Sequence, residues 1–578
     1  MKKEKFSLSR LMLALLAAFS LLLSGCGAPS APTASATPTP PSLEANSVEH
    51  QQVAFADMAY VRPDLETLDQ KIADCQAMAA EEGKESELLA MYDEILDDIR
   101  NLDAMDTLAT IHYNLDTTDT YYEEEMTTLD NYYTRLDNKM NELTETILAS
   151  GYQDAAKAAW GDAFIERYEF NSKLNSPEIE ALSEQENDLV TQYTKLLASD
   201  YTTELNGQTV TVEDLDLNTD EGIQAYTEIY EKKNAELGGI YLQLRDLRIQ
   251  IAQTLGYDSY TDYAYDVLGR DYTPEDARNF SEKVRTELLP AFGQMISANY
   301  NELVSALTSM QSGDGDLEAV LPILKTSLQK EFPSKMSEAL DYMQNNKLYD
   351  FSNEPNKMHA GYTTYINDYS APFMFINSND YRNADTVIHE FGHYYNFYLM
   401  PTISWNDSNN LDAAEIHSQA LELLMQPNYD QFFGADQAEG QKIYSIYNML
   451  SSILQGCAED EFQQAVFANP DLTLEEVNQL HSDIFYSYTG NELYYEWVEI
   501  HHHFETPFYY ISYATSAISA LEIWAQSVDD RAKALSTYNQ ITQYTVNFKY
   551  RDALVGSGLK DPFTSDCVSE IAEKVKGL

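Results

Sequence analysis

The sequence predicts a mainly helical protein with one small β element, and three features support this fold class. Amphipathic stretches with few helix breakers recur along the chain. They occupy residues 65–148, 176–201, 219–255, 273–310 and 316–344. An Asn-Gly pair beside β-branched residues predicts a short hairpin near residues 205–212. An apolar and aromatic stretch at residues 384–399 predicts a helix that is buried on most sides.

The first 25 residues are typical of an export signal. Basic residues precede an apolar run at residues 11–23, which is too short for a comfortable membrane span. Leu23-Ser24-Gly25-Cys26 resembles a bacterial lipobox, which implies that Cys26 becomes the lipidated first residue of the mature chain. A plain secretory signal is the alternative. Residues 26–50 are rich in Ala, Pro, Ser and Thr and predict a flexible tether. We therefore expect a protein anchored by its lipid outside the cytoplasmic membrane of a bacterium.

The charge balance is strongly acidic and excludes some partners. The chain has 36 Lys and Arg against 94 Asp and Glu, a net charge of −58. This argues against binding to nucleic acid or to an anionic membrane surface, so we expect membrane contact only through Cys26. The remaining cysteines are Cys75, Cys457 and Cys567. Three cannot all pair, and we expect no disulfide.

The motif His389-Glu390-Phe391-Gly392-His393 predicts a metal site. Positions i and i+4 of a helix lie on one face, so both imidazoles can bind one Zn²⁺ ion. Glu390 is then placed to take a proton from a water at the metal. A carboxylate buried between two histidines is costly unless a cation compensates it.

A catalytic zinc usually has three protein ligands, so a third is expected. The metzincin pattern is excluded because Asn396 and Leu399 stand where it needs Gly and His. Residues 411–422 predict a second helix, with Asn410 or Asp412 as the N-cap. Packed antiparallel to the first helix, it would bring Glu415 to the two histidines. His417 is the rival ligand, but it lies about 200° from Glu415 around a helix, which favours a supporting role.

Together, residues 389–393 and Glu415-Ile416-His417-Ser418-Gln419 resemble the M3 family of zinc oligopeptidases, in particular its oligoendopeptidase F-like branch. Two further blocks, residues 361–377 and 502–514, are similar to segments of that family, and the resemblance runs from about residue 60 to the C-terminus. It implies a helical gluzincin-type metallopeptidase with a deep channel for short, unfolded peptides. Since no Pro/Gly-rich linker follows residue 50, we expect one body with an N-terminal cap, residues 51–350, and a catalytic part, residues 351–578.

The block at residues 502–514 offers donors for an oxyanion. Aligned with the family segment without gaps, it implies that His503, Tyr509 and Tyr513 stabilise the transition state. In an unbroken helix His502 would instead share the face of Tyr509, but Pro507 makes an unbroken helix doubtful. The choice between His502 and His503 therefore stays open, with Tyr510 as a further candidate.

Residues 361–377 predict two strands with a turn at residues 368–370. Zinc peptidases commonly offer an edge strand to an extended substrate, and we expect that role here. The alternative is a purely structural hairpin.

These features predict a zinc endopeptidase for short oligopeptides, with His389, His393 and Glu415 as ligands and Glu390 as the base. One alternative is a zinc amidase acting on cell-wall peptides. Another is a non-catalytic peptide-binding lipoprotein, which would have little reason to keep Glu390. The sequence makes no prediction of the oligomeric state.

Overall fold

The computed structural model describes residues 50–174, 177–310, 316–379, 383–400, 411–544 and 548–578. The predicted signal peptide, Cys26 and all but the last residue of the predicted tether lie outside the described residues. Over the described ranges the molecule is built almost entirely of helices, with two small sheets, so the predicted helical fold class is confirmed.

The N-terminal part is a succession of helices. They are α1 (Leu65–Met78), α2 (Glu85–Leu115), α3 (Thr120–Leu148), α4 (Gln153–Trp160), α5 (Asp162–Leu174) and α6 (Pro177–Leu197). Side-chain caps fix several helix starts: Asp64 accepts from the Thr67 amide, and Asp119 accepts from two amides of the first turn of α3. The apolar faces of α1 to α4 form a hydrophobic core of their own.

The Asn-Gly hairpin follows α6. Strands β1 (Thr203–Leu205) and β2 (Gln208–Val210) pair antiparallel, with Leu205 opposite Gln208. Asn206 and Gly207 both have a positive φ, 55° and 79°, as the two-residue turn between these strands requires. The hairpin predicted near residues 205–212 is therefore present.

Long helices continue through the middle of the chain. They are α7 (Asp220–Thr254), α8 (Tyr260–Val267), α9 (Pro274–Lys283), α10 (Leu289–Ala298), α11 (Tyr300–Met310), α12 (Val320–Glu331) and α13 (Ser334–Asn345). A π-helical turn joins α9 to α10 at Val284–Leu288. Thr273 and Asp276 form a capping box at the start of α9.

A three-stranded sheet follows, with strand order β3-β5-β4. β3 (Tyr349–Asp350) runs parallel to β5 (Ala371–Ile376), and β4 (Gly361–Ile366) pairs antiparallel with β5. The predicted pair of strands is thus present, and its turn is a short 3-10 segment at Asn367–Tyr369. β4 is an edge strand, as the substrate hypothesis requires.

The C-terminal part completes the body. Its helices are α14 (Ala384–Leu399), α15 (Ile416–Met425), α16 (Tyr429–Phe433), α17 (Ala438–Ala468), α18 (Leu474–Thr489), α19 (His502–Glu505), α20 (Ile511–Asp529), α21 (Arg531–Ile541), α22 (Tyr550–Ser557) and α23 (Cys567–Lys576). α14 packs against β4, β5 and α15, and α20 packs against α15 and α17. The candidate site lies among these elements.

The largest hydrophobic core crosses the predicted boundary at residues 350/351. It includes Met105, Phe280, Phe375 and Leu521. Cys75, Cys457 and Cys567 are buried and unpaired. In the described part of the chain, every helix is too short or too polar to cross a membrane.

Candidate metal centre

Two histidines, one turn apart on α14, face each other. The Nε2 atoms of His389 and His393 lie 3.3 Å apart, and the two rings are 5.0 Å apart between their centroids. Most of α14 is buried, since it packs against the three-stranded sheet and against α15. The predicted helix at residues 384–399 therefore holds both imidazoles in place.

Glu415 completes the group. Its Oε2 atom lies 3.1 Å from Nε2 of His389 and 3.1 Å from Nε2 of His393. Ligands 2.0–2.1 Å from a tetrahedral zinc are separated from one another by about 3.3 Å. The three atoms therefore fit one tetrahedral ion and leave a fourth position for water or substrate. Among the described residues, this is the one group of His, Cys, Asp and Glu with a metal-binding arrangement.

The local structure around Glu415 differs from the prediction. Residues 411–415 form turns, and α15 begins only at Ile416, so Glu415 precedes the helix. Asp412 does not cap the helix because its carboxylate accepts hydrogen bonds from Ser512 and Tyr272 instead. Asn410, the other predicted N-cap, lies outside the described residues.

The other ring nitrogens of the two histidines are also held. Nδ1 of His389 lies 2.7 Å from Oε1 of Glu422, and Nδ1 of His393 lies 3.0 Å from Nε2 of His417. Such partners fix the ring orientation of a metal-binding histidine. Glu422 is not among the residues predicted from the sequence, although it stands seven residues after Glu415. In the helix predicted over residues 411–422, two turns would place these two residues on one face.

The electrostatics of the group favour a cation. Burial lowers the pKa of His389, but Glu415 and Glu422 outweigh this and raise that pKa well above its usual value. Burial raises the pKa of Glu415, but the two histidines hold it well below its usual value. Glu415 is therefore ionised, and its negative charge faces the position that a metal would take.

Glu390 is fixed from the sheet. Its Oε2 atom accepts a hydrogen bond of 2.8 Å from the Thr363 hydroxyl on β4. Gly361, Thr363 and Tyr365 alternate along β4 and share one face, which is how Thr363 reaches α14. This partner could not be predicted from the sequence, because strand alternation reveals the shared face but not which helix lies opposite.

His502, Tyr509 and Tyr513 are brought together. The rings of His502 and Tyr509 stack at 4.9 Å, and Nε2 of His502 lies 3.4 Å from the Tyr513 hydroxyl. Tyr510 packs edge-on against His502. Burial lowers the pKa of His502 to about 3, so its ring is neutral and has one N–H to donate.

His503 lies elsewhere, and its predicted grouping with Tyr509 and Tyr513 is corrected. Its Nε2 atom is 3.1 Å from Glu459, a fully buried carboxylate that also contacts His481. The helical structure is interrupted between α19 and α20, and Phe508 in this interruption has a φ of 66°. This break turns His502 rather than His503 towards the tyrosines.

α20 also touches the turn that carries the third candidate ligand. The Glu415 amide donates to the Ser516 hydroxyl over 3.3 Å, and Tyr513 stands one turn earlier on the same helix. Burial, then Tyr509 and Tyr510, and also Glu415, raise the pKa of Tyr513 well above its usual value. Tyr513 therefore keeps its proton and is a hydroxyl donor close to the Glu415 charge.

Comparisons with known proteins show which family model and which solved structures this chain resembles. Residues 55–175 match the family model of the peptidase M3 N-terminal domain. A search of curated proteins returns no significant match. The fold is similar to that of a protein provisionally designated oligoendopeptidase F, with 24% identity, a TM-score of 0.71, and 91% of this chain and 98% of that one covered.

Two more solved structures are similar. Pz peptidase A with an inhibitor has 24% identity and a TM-score of 0.71, with 90% of this chain and 98% of that one covered. A protein of Bacillus anthracis, provisionally designated oligoendopeptidase F, has 24% identity and a TM-score of 0.68, with 91% and 98% covered. The predicted resemblance to the M3 family is confirmed: residues 55–175 match the model of the M3 N-terminal domain, and nine-tenths of the chain has a fold similar to that of a protein designated oligoendopeptidase F.

Proposed function

We propose that this chain is a zinc-dependent endopeptidase that hydrolyses short oligopeptides. The observation that carries the proposal is the position of the Glu415 carboxylate, 3.1 Å from both imidazoles. Two imidazole nitrogens and one carboxylate oxygen at tetrahedral spacing suit Zn²⁺. The fold of the oligoendopeptidase F proteins supports a peptide as the substrate.

Bound zinc would act as a Lewis acid and lower the pKa of water at the open position. Glu390 follows His389 directly and takes the proton of the attacking water, then passes it to the leaving amine. The hydrogen bond from Thr363 fixes the direction of the Glu390 carboxylate. This arrangement disfavours the non-catalytic alternative, because a peptide-binding protein gains nothing from an oriented base.

Tyr513 and His502 stabilise the negative charge that develops on the carbonyl oxygen. Both are buried and neutral, and neutral donors in a low-dielectric site interact strongly with an oxyanion. Tyr509 supports them through its stacking on His502. The catalytic role inferred for His503 passes to His502 in this proposal.

The substrate backbone pairs with β4. This strand is the edge of its sheet, and its Thr363 side chain reaches Glu390. An extended peptide added along β4 would have its carbonyl groups within reach of the same helix that carries the base. The deep channel implied by the M3 resemblance would restrict substrates to short, unfolded chains.

The location outside the cytoplasmic membrane rests on residues 1–26. In cells, we expect the wild type to fractionate with membranes and to incorporate labelled fatty acid. Cys26→Ser should remain in the soluble exported fraction, without label. Equal labelling of the two proteins would contradict lipidation at Cys26.

The decisive experiment compares peptide cleavage and zinc content in the wild type and in Glu390→Gln. We expect full zinc content and a loss of kcat by a factor of about 10²–10⁴ in the variant. The matched control is Glu439→Gln. Glu439 forms an exposed ion pair with Lys442 on α17, so this variant should keep full activity. Unchanged turnover in Glu390→Gln would overturn the mechanism.

A further inference from the structure

Arg270 is a buried guanidinium that lies outside the metal centre. It lies in the segment that connects α8 to α9, its side chain is fully buried, and its Nε atom lies 3.6 Å from Oδ2 of Asp412. Its Nη2 atom donates to the Phe508 carbonyl over 2.5 Å and to the Ser512 hydroxyl over 3.3 Å. One cation therefore contacts both the turn before α15 and the segment that begins α20.

Asp412 joins the same two segments from the other side. Its Oδ1 atom accepts from the hydroxyls of Ser512 at 2.8 Å and Thr515 at 3.2 Å, and its carbonyl accepts from Ser516 at 2.9 Å. Tyr272 donates to the same Oδ1 atom over 2.9 Å. The polar face of α20 is thus hydrogen-bonded to Asp412, which precedes Glu415 by three residues.

The backbone that Arg270 holds is strained. Phe508 has a φ of 66°, in the left-handed region, which costs a residue with a Cβ of the order of 1 kcal/mol. Its carbonyl is bound by Arg270, and its amide donates to Oε1 of Gln463 over 3.0 Å. This strained residue directly precedes Tyr509, so its conformation determines the direction in which the chain enters the segment with Tyr509 and Tyr510 and then α20.

We propose that Arg270 and Asp412 are a positioning pair, which fixes the turn of the third metal ligand relative to Tyr513. Neither residue is assigned contact with substrate. The pair instead keeps the distance between Glu415 and the oxyanion donors constant, so that metal binding and transition-state stabilisation depend on one ion pair. The inference rests on the proposed function.

The variant Asp412→Asn keeps the shape of the side chain and removes its charge. We expect zinc affinity, measured by competition with a chelator, to fall about ten-fold, the lower end of the loss seen when the support of a ligand is removed, because the turn that carries Glu415 is no longer held in position. We expect kcat to fall about ten-fold with KM nearly unchanged, because the pair acts on donors used in the transition state. A purely structural role would lower stability and leave both of these values intact.

A double-mutant cycle with Tyr513→Phe gives the sharper test. If Asp412 acts through Tyr513, the double variant should have nearly the kcat of Tyr513→Phe alone. Multiplicative losses would overturn the proposal, as would wild-type zinc affinity and kcat in Asp412→Asn. Arg270→Lys keeps the charge but not the guanidinium fork, and should show the same coupling if Asp412→Asn fails to fold.

The matched control is Glu125→Gln. Glu125 is 1% exposed, pairs with Arg62 and accepts from Tyr60, much as Asp412, 3% exposed, pairs with Arg270 and accepts from Tyr272. It lies in α3, in the N-terminal part, and should change neither zinc affinity nor kcat. Because zinc affinity is measured without peptide, a wild type that binds zinc but cleaves no peptide would reject the proposed function and still test the pairing.

Discussion

Gly392 lies so close to Ser418 that a Cβ atom on the glycine would stand 2.5 Å from the Ser418 Cα atom. The same Cβ would lie 2.9 Å from the His417 carbonyl oxygen. Both contacts are to backbone, which cannot turn aside as a flexible side chain can. The absence of a side chain at position 392 therefore allows α15 to approach α14, and this approach brings Glu415 to the two histidines.

Gly392→Ala should damage the metal site without touching a ligand. The added methyl group has to push α15 away from α14, which moves Glu415 out of its position between the imidazoles. We expect a loss of about 1–3 kcal/mol in the free energy of unfolding, as for other overpacked sites. Zinc affinity should fall with it. Urea unfolding and chelator competition measure the two effects.

Gly293→Ala is the control for this variant. Gly293 lies in α10 with no atom within 4 Å of the position of a Cβ. Alanine is the better helix former by up to about 1 kcal/mol, so this variant should be slightly more stable. If Gly392→Ala behaved like Gly293→Ala, the helix approach would not depend on the glycine.

Glu422→Gln should weaken zinc binding. Glu422 lies 2.7 Å from Nδ1 of His389 and holds that ring with its Nε2 atom towards Glu415. Loss of such a partner typically lowers metal affinity 10- to 100-fold. Chelator competition on the purified protein should detect this range. An affinity equal to that of the wild type would show that α14 alone orients His389.

The grouping of His389, His393 and Glu415 could be predicted from the sequence because their spacing encodes it. His389 and His393 share a helix face at i and i+4, and Glu415 follows in the next predicted helix, after one interruption of the helical pattern. The sequence also placed the helices and the Asn-Gly hairpin, whose signals are local. The role of Thr363 could not be predicted, because its contact with Glu390 joins a strand to a helix. Neither segment alone specifies which face of the strand meets which face of the helix.

His503 shows a different limit of sequence reasoning. His502 and His503 are adjacent, so a small change in backbone direction decides which of them faces Tyr509. That change occurs at residues 506–510, where the chain leaves the helix and Phe508 adopts a positive φ. Arg270 and Gln463 hold this conformation from distant parts of the chain. A local pattern contains no information about such partners.

Thr363→Val should lower turnover and leave the metal in place. Valine keeps the shape and strand preference of threonine but cannot donate to Glu390. Because hydrogen bonds to charged groups contribute about 1.5–3 kcal/mol, we expect kcat to fall about ten-fold. Zinc content should stay at the level of the wild type. Thr363→Ser restores the hydroxyl and should restore most of the activity; failure of this rescue would mean that packing at residue 363 matters instead.

His502→Gln and His503→Gln should have opposite effects. The first replaces the fixed ring N–H beside Tyr513 by a flexible amide that is not held towards the oxyanion, and we expect kcat to fall about 10²-fold, as for a lost oxyanion donor, with modest change in stability. The second disturbs the pairing of the buried carboxylate of Glu459 and should cost about 1–3 kcal/mol of stability. Steady-state kinetics and urea unfolding of both variants check this. The reverse result would restore His503 to the site.

The pH dependence of stability offers a test of the burial of His502 that needs no substrate. Its pKa is lowered to about 3 in the folded protein, chiefly by burial and then by His501 and His503, against about 6.5 when unfolded. As the pH falls below about 6.5, the unfolded chain binds a proton that the folded chain does not, so stability decreases by up to about 1.4 kcal/mol per pH unit. His502→Gln removes this contribution to the pH dependence of stability. Between pH 6 and 4, roughly the window between those two pKa values, the unfolding free energy of the variant should therefore depend less steeply on pH. Equal slopes in urea titrations would mean that His502 is protonated within the fold.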